Sequence, residues 1–299
     1  MSDYTRCMRV IVVYFLRRGM IGRQLFVVCL VVISIIVWAC HAISGQVQDF
    51  VVIQSGQPGS SEEAQPVMDS LADYIQKKIG HGVKVKGRYF NDLDKALGFV
   101  RDDPPDWGIV RVGFYAQFVR GLPMTVMAST RPGGFSKDMW HLVVKKNAPE
   151  GWRTIRGTVF GNMLFETDAG ACLLFRAPNA DLPFKLKGTF HPLRSLRAVV
   201  RGKTSGVVLD RMQHEAIKAL PLADKIKVMH SSGRLPTSPV VWFGPPNERM
   251  KRVMTILLGM GEDPDAGSLL KLLQTDGFGP ADADLPKFRL NAENKGCPW

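Results

Sequence analysis

From Phe50 to Val112 the chain alternates short apolar runs with amphipathic stretches, a pattern that few architectures other than a layered α/β sheet accommodate. Phe50-Val-Val-Ile53 has no polar position, as expected of a strand buried on both faces. It runs out into the turn-forming stretch Gln54-Ser-Gly-Gln-Pro-Gly-Ser-Ser61. Val67, Leu71, Tyr74, Ile75 and Ile79 then recur at helical spacing. Ser60 followed by Glu63 fits a capping box at the start of that helix, and Pro66 requires it either to kink or to start nearer Gln65. Val83 and Val85 alternate in a second strand. Asn91 is placed to cap a helix carrying Leu93, Leu97 and Val100, and Trp107 to Val112 reads as a third strand. Strand, helix, strand, helix, strand is a βαβαβ unit with a parallel sheet.

The pattern then repeats. Met124 to Ala128 and Met139 to Val144 are expected strands around the turn Arg131-Pro-Gly-Gly134. Thr158 to Phe160, Met163 to Phe165, Gly206 to Leu209 and Ile226 to Met229 read as strands, with helices from about Asp168, over Leu193 to Val200 and over Arg211 to Leu220. Val240 to Phe243 restores the extended pattern before two last helices near 247–258 and 267–273. A second α/β unit followed by a return to the first predicts two lobes. Lobe one takes residues 47–128 plus 240–299 and lobe two takes 129–239, each a mixed, mainly parallel sheet flanked by helices. Hinges are expected near 128–131 and 236–240.

Ahead of this body stands a different kind of sequence. Leu25 to Ala39 is an apolar run in which Ser34 is the only clearly polar residue, preceded by Arg6, Arg9, Arg17, Arg18 and Arg23. A basic segment, a short apolar segment and then small residues describe an export signal over residues 1–44, with a retained membrane anchor as the competing reading. Val37-Trp-Ala-Cys40 also resembles a lipoprotein box, which would lipidate Cys40, and Met20 is a tidier start for the signal than Met1.

Charge belongs partly to that signal. The 39 basic and 27 acidic residues give a net charge of +12, and removing the five arginines and one aspartate before residue 45 leaves +8. The remainder is scattered, without the dense basic tract and interleaved aromatics of a nucleic-acid groove, so no nucleic-acid partner is expected. Past residue 45 the cysteines are Cys172 and Cys297, which form one bridge in an oxidising compartment or stand as a buried thiol and a loose one; spacing does not choose. The six histidines are isolated, and no zinc-type spacing, GxSxG elbow, HExxH or GxGxxG occurs, so neither catalysis nor a metal or other cofactor is expected.

Binding features are better represented. Ser60 and Ser61 follow the first strand, where a helix start offers backbone amides and hydroxyls to an anion; plain helix capping is the alternative for Ser60. Thr167 and Asp168, in Glu166-Thr-Asp-Ala-Gly170, hold the matching place in lobe two. Arg111 either holds an anion from lobe one or pairs with Asp106.

Six segments, in order, resemble a known family. Pro58-Gly-Ser-Ser-Glu-Glu63 is similar to the loop entering its first helix, Gly108 to Tyr115 to a strand and loop ending in tyrosine, and Thr154 to Phe160 to a turn into a strand. Gly202 to Asp210 resembles a glycine-to-aspartate strand, Ser231 to Pro239 the return crossing, and Leu269 to Phe278 the Leu-Leu to Gly-Phe tail. The family is the phosphate, phosphite and phosphonate-type periplasmic solute-binding proteins of ABC importers. The resemblance implies the type II periplasmic binding fold and an exported, periplasmic protein that works as a monomer. Such a protein holds a small oxyanion or phosphonate-like ligand between its lobes and delivers it to an inner-membrane ABC permease. Together with the residue-level reading it gives a candidate ligand set of Ser60, Ser61, Arg111, Tyr115, Thr167, Asp168 and Asp210. This chain departs from the family where Glu166-Thr-Asp-Ala-Gly170 replaces a Ser/Thr run, which leaves open an amine-bearing, zwitterionic or uncharged ligand, with Asp168 or Asp210 meeting a cation. The alternative reading is a membrane-anchored sensing or envelope interaction domain of the same fold, or a periplasmic enzyme.

Overall fold

The computed structural model describes residues 46–80, 82–290 and 297. The expectations for residues 1–44, signal, anchor, lipidation and start, lie outside the described residues. Among the described residues no helix is long and apolar enough to cross a membrane.

The described residues begin with β1 (Gln46–Ile53), α1 (Ser61–Ile79), β2 (Val83–Phe90), α2 (Leu93–Asp102), β3 (Trp107–Val110), α3 (Val112–Phe118) and β4 (Met124–Thr130). It continues through β5 (Lys137–Asp138), β6 (His141–Lys145), β7 (Thr158–Gly161), α4 (Thr167–Phe175), β8 (Lys185–Gly188), α5 (Pro192–Val200), β9 (Gly206–Leu209), α6 (Arg211–Ile217) and β10 (Ile226–Ser231). Then come β11 (Leu235–Pro236), β12 (Pro239–Phe243), α7 (Glu248–Gly259), α8 (Gly267–Leu272) and β13 (Phe278–Pro280).

Two large sheets result, ordered β13-β4-β12-β3-β1-β2 and β10-β6-β9-β7-β8, and a two-stranded ladder pairs β5 with β11. Parallel pairs join β1 to β3 and β7 to both β8 and β9. Antiparallel pairs join β12 to β3 and β4, β13 to β4, and β6 to β9 and β10. The antiparallel share exceeds the mainly parallel sheets expected from sequence. Its cause is topological: the chain leaves the first sheet through β4 and re-enters it through β12, and strands that leave and return side by side must oppose each other.

Side-chain alternation explains how β1 can be apolar throughout. Phe50 and Val52 pack with Met68, Leu71 and Ile75 of α1 and Val253 and Leu257 of α7. Val51 and Ile53 point to the opposite face, against Ala96 and Val100 of α2 and Phe114 of α3. This second cluster runs on without a break into Leu142, Val144, Val159 and Val208 of the other sheet and Leu173 and Leu174 of α4. The outer face of the second sheet has a smaller core of its own, from Val143, Val207, Leu209, Leu196, Val199 and Ile217.

Several local expectations change. The helix α1 starts at Ser61 rather than near Gln65, because the Ser60–Glu63 capping box forms with both of its bonds and Pro66 is carried inside the helix. Asp92, not Asn91, caps α2, accepting from the Lys95 amide at 2.9 Å. The Asn91 amide instead donates to the carbonyls of Gln57 (3.1 Å) and Gly59 (2.6 Å) and holds the loop after β1. The third strand stops at Val110, with Arg111 as the N-cap of α3. Residues 163–165 form a turn, not a strand, with Leu164 buried beneath it. Cys172 of α4 is bonded to Cys297, which resolves the alternatives left by spacing.

Candidate functional site

Four connections leave strands of the two large sheets and converge. β1 hands over to Gln54–Gln57, β3 to Arg111, β7 to residues 162–166, and β9 to Asp210. Each lies at a strand's carboxyl end, where open α/β sheets present backbone amides and ligand-binding side chains. With the crossings 130–140 and 236–238 they enclose a cavity of about 590 Å³. Gln54, Gln57, Arg111 and Thr130 line it together with Asp138, Trp140, Met163, Asp210 and Met212, and Thr237, Ser238 and residues 271 and 273–276 complete the wall.

Its charge is unusual. Arg111 is a half-buried cation whose Nε is buried and has no hydrogen-bond partner among the described residues. Burial lowers the Arg111 pKa from its ordinary value, while Glu166, Asp210, Tyr89 and Asp138 act in the opposite direction. An arginine so placed stays charged. Asp138 faces it from the β5–β11 ladder; burial first, and Asp210 second, push its carboxyl up to about 6. That carboxyl is held rigidly. Oδ1 accepts from the amides of Met139 (2.7 Å) and Arg211 (3.2 Å), and Oδ2 accepts from Trp140 Nε1 (3.1 Å). Asp210 caps α6, accepting from the Gln213 amide at 2.8 Å, and burial raises its pKa as well. The cavity therefore combines one forked cation with two carboxyls fixed by backbone donors, and the exposed Lys271 and Asp276 add one charge of each sign to its wall.

Beside the cavity the two halves of the site touch. Ser55 Oγ donates to Glu166 Oε1 at 2.7 Å, and the Gln117 side chain of α3 accepts from the Ala169 amide of α4 at 3.2 Å. Gly56 makes the approach possible. Its φ is +82°, and a Cβ there would lie 2.3 Å from the Asn162 carbonyl oxygen and 2.6 Å from the Phe165 ring.

Of the residues expected from sequence, Arg111 and Asp210 line the cavity together. Ser60 is engaged in its capping box and Ser61 opens α1; neither lines the cavity. Tyr115 lies one turn beyond Arg111, fully buried, with its hydroxyl unpartnered. Thr167 and Asp168 occupy the first turn of α4 outside the lining, with Asp168 exposed. Arg111 does not pair with Asp106, which instead takes Arg249 at 3.2 Å and the Asp49 amide at 3.1 Å. Sequence reasoning missed Asp138, Trp140, Gln54 and Gln57. The glutamines follow the first strand and were findable by position, whereas Asp138 sits in a two-residue strand that carries no periodic signal.

Residues 58–285 match a family described as the ABC transporter, phosphonate, periplasmic substrate-binding protein. No curated protein matches the chain. Among solved structures, XAC2383 from Xanthomonas citri, bound to ATP, shares 17% identity at a TM-score of 0.62, covering 81% of this chain and 95% of that one. The binding protein component of an ABC phosphonate transporter (PA3383) from Pseudomonas aeruginosa shares 16% at 0.58, covering 84% and 92%. PhnD1 from Prochlorococcus marinus, in complex with methylphosphonate, shares 14% at 0.56, covering 81% and 95%. These likenesses speak to the fold, an α/β type with mixed sheets in two lobes. The family match extends over most of the sequence and over the cavity connections that follow β3, β7 and β9, and so the chain belongs to the phosphonate-type periplasmic substrate-binding proteins of ABC transporters.

Proposed function

We propose that this chain is the solute receptor of an importer, a binding protein without catalytic activity, and that its ligand is a small zwitterion of the aminophosphonate or amino-acid kind. One observation carries the reading: Arg111, at the end of a first-sheet strand, and Asp210, at the end of a second-sheet strand, line one cavity with Asp138 between them in sequence. The unpartnered Arg111 Nε suits the ligand's anionic group, through a forked, charge-assisted pair. Asp138 and Asp210 suit its ammonium. A simple dianion could pair with Arg111 but brings no cationic group for Asp138 and Asp210, which would repel it.

Residues 47–128 plus 240–299 and residues 129–239 act as the two lobes in this reading. The crossings near 128–131 and 236–240 flex as the hinge, with the β5–β11 ladder between them. Ser60, Ser61, Tyr115, Thr167 and Asp168 serve as supporting residues at the helix starts rather than direct ligands. The receptor is exported, works in the periplasm, free or tethered by its N-terminal segment, and meets the permease as a monomer. It has no role on nucleic acid.

Thermal-shift measurements on the intact chain test this, with 2-aminoethylphosphonate, free amino acids, methylphosphonate, phosphate and sulfate as the panel. A shift with zwitterions and none with the simple oxyanions is expected. A panel in which no zwitterion shifts the protein refutes the reading.

A further inference from the structure

Glu166 ends the turn after β7 and is the N-cap residue of α4, yet its side chain does not cap that helix. It reaches instead across to the first-sheet side. Oε1 takes the Ser55 hydroxyl at 2.7 Å, and Oε2 lies 3.3 Å from where a Cβ would stand on Gly113, the second residue of α3. The residue is fully buried and Oε2 has no hydrogen-bond partner. Asn162, in the same turn, is also fully buried with both side-chain polar atoms unpartnered. One turn thus holds three buried polar atoms that nothing among the described residues satisfies, which marks it as a polar seat rather than as packing.

The position has an electrostatic meaning. A nine-residue helix such as α4 carries partial positive charge at its start, with free amides aimed at whatever lies there. The Ala169 amide is already taken by Gln117, and the Gly170 amide by the Glu166 carbonyl at 2.8 Å. Burial raises the Glu166 pKa from its ordinary value, while the Ser55 hydroxyl and the charge of Arg111 act in the opposite direction. The field that would draw an external oxyanion to the head of α4 acts on a carboxyl that the chain itself supplies.

We propose that Glu166 is a specificity-determining residue: an internal carboxyl group that stands between the first turns of α3 and α4, refuses simple tetrahedral oxyanions there, and leaves the adjacent cavity with Arg111, Asp138 and Asp210 to the solute. The proposal rests on the inter-lobe location of the site argued above, but not on the identity of the zwitterion.

The test is a gain of binding. Isothermal titration compares wild type with Glu166→Ser, which empties the seat, and Glu166→Gln, which keeps the volume and removes the carboxylate. Phosphate and methylphosphonate are the probes, and 2-aminoethylphosphonate is titrated in parallel. At least tenfold tighter binding of the simple oxyanions to Glu166→Ser is expected, with a smaller gain in Glu166→Gln. If Glu166→Ser does not fold, the near-isosteric Glu166→Gln decides alone. Oxyanion affinity equal in wild type and the folded variants overturns the proposal, and if wild type still binds the zwitterion the receptor reading survives that failure. A gain in the variants alongside no zwitterion binding in any protein supports the role of Glu166 and removes the zwitterion reading.

Discussion

Cys172 and Cys297 are disulfide-bonded across 125 positions of sequence, Cys172 on α4 and Cys297 seven residues beyond Leu290, whose amide donates to the Ala116 carbonyl of α3. Leu285 and Phe288, on the way to that bridge, are buried in the cluster that both sheets share. The final segment therefore grips α3 by packing and hydrogen bonding and α4 by a covalent bond. Closing so long a loop restricts the unfolded chain, an effect on the order of 2–4 kcal/mol. For a domain of this size that corresponds to roughly 5–15 °C in melting temperature. The double variant Cys172→Ala/Cys297→Ala is expected to lose that much by scanning calorimetry, and dithiothreitol should lower the wild-type melt but not the variant's. Equal melts with and without reductant would show that the bridge does not restrain the chain in solution.

Gly56 is the tightest meeting point between the two sides of the site. A methyl group there collides with the Asn162 carbonyl oxygen and the Phe165 ring, on a backbone at φ +82° that side chains rarely adopt. Gly56→Ala is therefore expected to destabilise the protein by about 1–3 kcal/mol and to push the two sides apart. Small-angle scattering checks the second consequence: the variant should have the larger radius of gyration without ligand. An unchanged radius with an unchanged melt refutes this account of the contact.

How much of this was legible beforehand depends on how local each signal is. The β1 strand, the Ser60–Glu63 box and the return of the chain at Val240 were readable because each is written within a few residues, as a period, a cap or an apolar run. Asn91 and Asp92 are both good capping residues, and only the loop carbonyls of Gln57 and Gly59, supplied by distant sequence, assign Asn91 to the loop. Arg111 and Asp210, named from sequence for their charges, both line the cavity because each follows a strand end. Asp138 escaped, and Glu166 was noted only within the segment that departs from the family, for a different reason. Their surroundings come from residues far along the chain, Arg211 for Asp138 and Ser55 for Glu166, and no spacing within either segment encodes that encounter.

Arg111 offers the most direct probe of ligand chemistry. Its guanidinium is the cation among Glu166, Asp210 and Asp138, and lysine in its place would keep the charge while losing the forked geometry. Charge-assisted hydrogen bonds of this kind are worth about 1.5–3 kcal/mol. Arg111→Lys should therefore weaken binding of an aminophosphonate by roughly 10- to 100-fold while leaving the far-ultraviolet dichroism unchanged. Titration calorimetry with the same ligand measures it. Undiminished affinity in the folded variant would remove Arg111 from the site.

The Asp138 carboxyl gives the site a pH dependence whose sign is fixed. Its folded pKa of about 6 exceeds the ordinary value of 3.8, so the folded state holds this proton more tightly than the unfolded chain does. The group thus favours folding below pH 4 and loses that contribution as pH rises from about 4 to about 6, by an amount on the order of 3 kcal/mol. Ligand binding runs the other way, because an ammonium needs the carboxylate. Affinity for an aminophosphonate should rise between pH 5 and 7 with a midpoint near 6, whereas Asp138→Asn should bind weakly and without that midpoint. The stability difference between wild type and Asp138→Asn should shift over the same interval, in favour of wild type at the acid end. Parallel pH profiles for the two proteins, in binding and in melting temperature alike, would mean that the carboxyl titrates no differently in the fold than in the open chain.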